Sequence, residues 1–127
     1  MFEYIRTIMT FQELGLRQEI LDAVAELGFV NPMPVQEQVI PYMLTHDNDL
    51  VALAQTGTGK TAAFGLPILN MVNVEQRKIQ SLVLAPTREL CIQIANDIKN
   101  FASKMRGVKV VPVYGGESIV VQYKQLD

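Results

Sequence analysis

The sequence predicts an α/β fold in which a parallel sheet is flanked by helices. Three observations carry that expectation. Short apolar runs at Leu50–Ala54, Ser81–Ala85 and Val108–Val113 have the length and composition of buried strands. Segments with helical periodicity stand between them, and strands alternating with helices imply crossover connections and parallel pairing. Each run also leads into a distinctive loop: Ala54–Thr61, Pro86–Glu89 and Gly115-Gly116. Ligands of such sheets bind beyond the carboxyl ends of the strands, so the three loops are expected on one functional edge.

The elements follow in order. Ile20, Leu21, Val24 and Leu27 recur at helical spacing, and Gly28 stops the run. Asn31-Pro32-Met33-Pro34 reads as a stiffened turn. Val35, Val39, Ile40, Met43 and Leu44 form a second helical face, in which Pro41 predicts a kink or break. His46 to Asp49 is a polar loop, with the sole histidine expected as a solvated side chain. Lys60 to about Val72 is the next helix, with a kink expected at Pro67. Ile92, Ile94, Ala95, Ile98 and Phe101 pattern a further helix after Pro86 closes the second strand.

Composition narrows the class. A chain of 127 residues, 49% hydrophobic and 19% charged, is the size and balance of one globular domain. The only cysteine, Cys91, allows no intrachain disulfide; a small core residue in a reducing compartment is expected, hence a cytoplasmic setting. No uncharged apolar run reaches membrane-spanning length, and Glu3 and Arg6 interrupt the first apolar stretch, so neither membrane nor secretory signal is expected. The net charge of −2 conceals an asymmetry: residues 1–64 hold three Lys/Arg against eight Asp/Glu, residues 65–127 eight against five. The basic half can face nucleic acid phosphates, or it is an ordinary solvated surface.

Ala54-Gln55-Thr56-Gly57-Thr58-Gly59-Lys60-Thr61 carries the strongest chemistry. Gly57 and Gly59 let backbone N–H groups converge on one point. The helix that follows adds unpaired N–H groups and the positive end of its dipole. Lys60 supplies a full charge for the β- and γ-phosphates, and the Thr61 hydroxyl is placed to ligate Mg²⁺. The string predicts a nucleotide; it does not say which one.

Four features in order resemble the DEAD-box ATP-dependent RNA helicases. Gly28 to Gln36 resembles the Q motif, with Phe11 at the matching upstream aromatic position. Ala54–Thr61 matches motif I, including the family's usual Ala. Pro86-Thr87-Arg88-Glu89-Leu90 matches motif Ia, and Gly115-Gly116 the GG element. Met33 departs from the family's usual Thr. The resemblance implies residues 1–127 as the N-terminal portion of the first RecA-like domain, with the Q-motif segment at 9–37. It implies ATP and Mg²⁺ as cofactors. Gln36 would read adenine through N6 and N7, as a Gln amide can, and Phe11 would stack on the base. Pro86, Thr87, Arg88, Gly115 and Gly116 would contact the RNA backbone.

No Asp-Glu-Ala-Asp string occurs in residues 1–127. The resemblance places that element, the Ser-Ala-Thr element and the second RecA-like domain with its arginine finger beyond Asp127. The 127 residues are therefore expected to bind nucleotide without hydrolysis or unwinding, since phosphoryl transfer depends on positioned charge. A weakly stable or self-associating unit is also expected, because Leu50–Ala54 would lack neighbouring strands. The competing class is a noncatalytic RNA-binding or interaction module that retains the phosphate loop.

Overall fold

Five α-helices and one 3-10 turn organise residues 9–57 and 59–127, which the computed structural model describes. The 3-10 turn, Phe11–Leu14, is fixed at its start by Glu13, whose carboxylate accepts from the Thr10 backbone N–H at 2.6 Å and the Thr10 hydroxyl at 2.9 Å. Helix α1 (Gln18–Glu26) forms where the periodicity places it and buries Ile20, Leu21, Ala23 and Val24. Its first residues are tied to the far end of α3 (Lys60–Met71): the Arg17 N–H donates to Asn70 Oδ1 at 2.7 Å, and the guanidinium to the Val72 carbonyl at 2.9 Å.

Helix α2 (Pro34–Thr45) packs along α3, and α3 packs on α4 (Arg88–Phe101). Gly65 sits at the α3/α4 crossing, where an added Cβ would lie 3.3 Å from Ile98 and 3.6 Å from Phe101. The missing side chain lets α4 approach, offsetting the roughly 0.5–1 kcal/mol that a mid-helix Gly costs. The core joins Phe11, Leu14, Ile20, Val24, Ile40, Leu66, Leu69, Ile98 and Phe101. Each fully buried Leu contributes about 1.5–3 kcal/mol by leaving water.

The break allowed at Pro41 does not occur, and α2 and α3 run through Pro41 and Pro67. A proline removes one internal hydrogen bond, and at Pro67 complete burial of the ring in the core compensates. His46 is exposed as expected, but its ring stacks on Tyr42 with centroids 4.2 Å apart. Cys91 is half-buried in α4, its thiol 3.6 Å from the Val113 carbonyl. A fifth helix, α5 (Ile119–Leu126), closes the described chain.

The expected parallel sheet is not formed among the described residues. No strand is present, and no backbone hydrogen bond joins the three apolar runs to one another. Val51 is 85% exposed and Leu53 94%; Leu82 and Leu84 also face outward. The physical reason is that an apolar run states a preference to leave water but supplies no partner. A ladder requires a second backbone at about 4.8 Å along the hydrogen-bonding direction. Here the Leu50–Gln55 run instead borders α2 across a groove of about 710 Å³.

Candidate nucleotide and RNA site

The phosphate loop ends at Gly59, which caps α3 in the left-handed region with φ 78°. Gly57 has φ 77°, so both glycines use conformations that side chains disfavour. The first N–H groups of α3 have no partner within the helix by construction, and they open onto the loop. Ala63 begins the regular ladder, donating to the Gly59 carbonyl at 3.1 Å. Lys60 reaches back across the loop, and its ammonium donates to the Ala54 carbonyl at 2.8 Å. Thr61 is half-buried one residue further, while Gln55 and Thr56 are exposed. Thr58 lies outside the described residues.

Gln36 joins the Q-motif segment to this loop. Pro34 opens α2 at a position that needs no N–H, which sets Gln36 in the first turn facing inward. The side chain is only 2% exposed. Its Oε1 accepts from the Met33 N–H at 2.9 Å, and its Nε2 donates to the Gly59 carbonyl at 3.2 Å. The first bond is half of a capping box, the glutamine returning to the N-cap residue. The contact with Gly59 is close: an added Cβ there would lie 2.3 Å from Nε2. Met33 is the N-cap itself, which explains in capping terms what a Thr would supply there. Phe11 sits in the core, 2% exposed, its ring 6.1 Å from that of Phe29.

The second group gathers motif Ia and the diglycine. Pro86 and Thr87 are exposed, and Thr87 caps α4, its hydroxyl accepting from the Leu90 N–H at 3.2 Å. Arg88 follows at the helix start, its guanidinium lying 4.9 Å from the Tyr114 ring centroid. Gly116 has φ 88°, and a Cβ on it would come within 3.0 Å of an Arg88 guanidinium nitrogen. Gly115 faces open space. Arg88 and Gly116, 28 positions apart, are thus adjacent. Tyr114 was not singled out by the sequence; its place just before the diglycine was the available signal.

Among the described residues there is no cluster of three His, Cys, Asp or Glu that could hold a metal ion. No helix among them is long and apolar enough to cross a membrane.

Residues 33–127 match the family model of the DEAD/DEAH box helicases. The chain belongs to that family. The chain is 50% identical over 117 residues to the ATP-dependent RNA helicase DeaD of Klebsiella pneumoniae, covering 92% of its own length and 18% of that protein. It is 48% identical to the DEAD-box ATP-dependent RNA helicase CshA of Geobacillus kaustophilus, covering 92% and 25%. It thus spans a quarter or less of these relatives and corresponds to the N-terminal region of the first RecA-like domain. Its backbone superposes on a crystal structure of a DEAD box protein from Methanococcus jannaschii with TM-score 0.87 at 41% identity, covering 93% of this chain and 32% of that one. The helicase Prp28 of Chaetomium thermophilum bound to ADP gives 0.81 at 40% identity, covering 96% and 31%. S. cerevisiae Dbp5 bound to RNA and ADP BeF3 gives 0.76 at 32% identity, covering 87% and 29%.

Proposed function

We propose that this chain is the ATP-binding and partly RNA-binding portion of an ATP-dependent RNA helicase that locally unwinds or remodels RNA in the cytoplasm. One observation carries the reading: the buried Gln36 amide bonds to the carbonyl of Gly59, so the base-reading segment and the phosphate loop are one unit. The loop suits a triphosphate, with two left-handed glycines, a helix N-terminus and Lys60 within one turn. Ala54, Gln55, Thr56, Gly57, Thr58 and Gly59 supply the backbone cradle, Lys60 the charge, and Thr61 one ligand for Mg²⁺. Gln36 retains one lone pair and one amide hydrogen beyond its two bonds, which is what adenine N6 and N7 require. Stacking by Phe11 requires its ring to swing out of the core toward the base.

Pro86, Thr87, Arg88, Gly115 and Gly116 take the RNA backbone. The proximity of Arg88 to Gly116 supports this, because one phosphate could be met by both. The backbone likeness to DEAD box structures supports reading the three apolar runs as the places of RecA-like strands. The 127 residues alone bind nucleotide without turnover, since the acids and arginine that hydrolysis uses in the family are not among them; the second RecA-like domain is the partner that completes the site.

Titration of a fluorescent ADP analogue tests the reading. Lys60→Ala abolishes binding, and Gln36→Ala removes the preference for ADP over GDP. Equal affinity of the unaltered chain for both nucleotides would remove the adenine assignment. RNA binding that ignores both nucleotide and Lys60→Ala would favour a noncatalytic RNA module.

A further inference from the structure

We infer that Gln122 is a positioning residue for the proposed RNA contact, holding the Gly115-Gly116 loop and, through Tyr114, the Arg88 guanidinium. The inference rests on the RNA reading above. Gln122 lies in α5 and is 7% exposed, the one buried residue of that helix. Its Oε1 accepts from the Tyr114 N–H at 3.0 Å. Its Nε2 donates to the Tyr114 carbonyl at 3.1 Å and to the Glu117 carbonyl at 3.4 Å. A single side-chain amide therefore pairs both backbone groups of Tyr114, as a residue on a neighbouring strand would.

Tyr114 and Glu117 are the residues on either side of the diglycine. Two adjacent glycines are free to take many backbone conformations; the amide closes that freedom from both ends. The ring of Tyr114 then serves as the platform for Arg88, 4.9 Å away, and its hydroxyl lies 3.5 Å from Glu117 Oε2. The Tyr114 backbone is thus set by Gln122, and its ring sets the guanidinium beside Gly116. The residue type follows from the partners. A buried amide is tolerated because its donors and acceptor are engaged. A carboxylate at 122 would turn an oxygen toward two carbonyls, and a methionine would fill the space and bond to nothing.

The test uses the unaltered chain, Gln122→Met, Tyr114→Ala and Arg88→Ala. Single-stranded oligouridine binding is followed by fluorescence anisotropy at fixed salt, ADP-analogue binding alongside it, and amide hydrogen exchange across Gly115–Glu117. Gln122→Met should weaken RNA binding roughly tenfold, as losing the hydrogen bonds of the amide implies. It should speed exchange at Gly115 and Gly116 and leave ADP binding unchanged. Tyr114→Ala, which keeps the backbone bonds to Gln122, should weaken RNA binding comparably. Full RNA affinity in Gln122→Met, with loss in Arg88→Ala, overturns the inference and leaves the RNA reading intact. Full affinity in Arg88→Ala overturns the RNA reading itself, and unchanged exchange at the diglycine in Gln122→Met then overturns the positioning role as well. Should Gln122→Met fail to fold, full RNA affinity in Tyr114→Ala still overturns the relay to Arg88.

Discussion

Replacing Gly59 by Ala probes the joint between the Q-motif segment and the phosphate loop. Gly59 has φ 78° and ψ 28°. An Ala held there costs about 1–2 kcal/mol. The new Cβ would also stand 2.3 Å from Gln36 Nε2 and 3.2 Å from Cδ, so the amide must leave. With it go the bonds to the Gly59 carbonyl and to the Met33 N–H, at about 0.5–1.5 kcal/mol each. The single substitution should therefore destabilise by about 2–5 kcal/mol. In a Gln36→Ala background the amide is already gone and the Cβ has room. There Gly59→Ala should cost only the backbone strain, about 1–2 kcal/mol. The assay is urea denaturation of the four chains followed by helical circular dichroism, closed as a double-mutant cycle. A coupling of about 1–3 kcal/mol is expected. Additivity within about 0.5 kcal/mol would show that Gln36 does not rest against Gly59 and refute the joint.

Met33→Thr should stabilise the chain by about 0.5–1 kcal/mol by adding a hydroxyl acceptor at the N-cap of α2. The low end of the capping range applies because the Gln36 N–H already reaches the Met33 carbonyl at 2.9 Å. A lower urea midpoint in Met33→Thr would count against this account. At Thr10 the backbone N–H, then the hydroxyl, hold the Glu13 carboxyl below its ordinary pKa. The stability this supplies is present above the ordinary carboxylate range and is lost as pH falls through the lowered folded value. The melting temperatures of the unaltered chain and Glu13→Gln should therefore differ near neutrality and converge in acid; a gap independent of pH would contradict the assignment.

The helices were legible wherever their inward face is apolar. Ile20, Leu21 and Val24 announce α1, and Ala95, Ile98 and Phe101 announce α4. Helix α5 escaped because its pattern is inverted: Gln122 points inward while Ile119, Val120 and Tyr123 are exposed. Hydrophobic periodicity cannot find a helix whose buried contact is an amide. No ladder joins Leu50–Ala54 and Ser81–Ala85 to a neighbour among the described residues: composition states a strand's preference, and nothing in the local sequence supplies its partner. The loop glycines were readable as conformational requirements, and both have positive φ. The meeting of Gln36 with Gly59, 23 positions on, and of Arg88 with Gly116 are products of tertiary packing that spacing does not encode.

The Lys60 ammonium, bonded to the Ala54 carbonyl at 2.8 Å, makes the phosphate loop its own counter-ligand. An ammonium carries three donors, so two remain for an anion that settles in the loop while the third stays on the peptide oxygen. That internal bond anchors the charge before any ligand arrives, and a tail with several oxygens can take up both remaining donors where a single acceptor takes one.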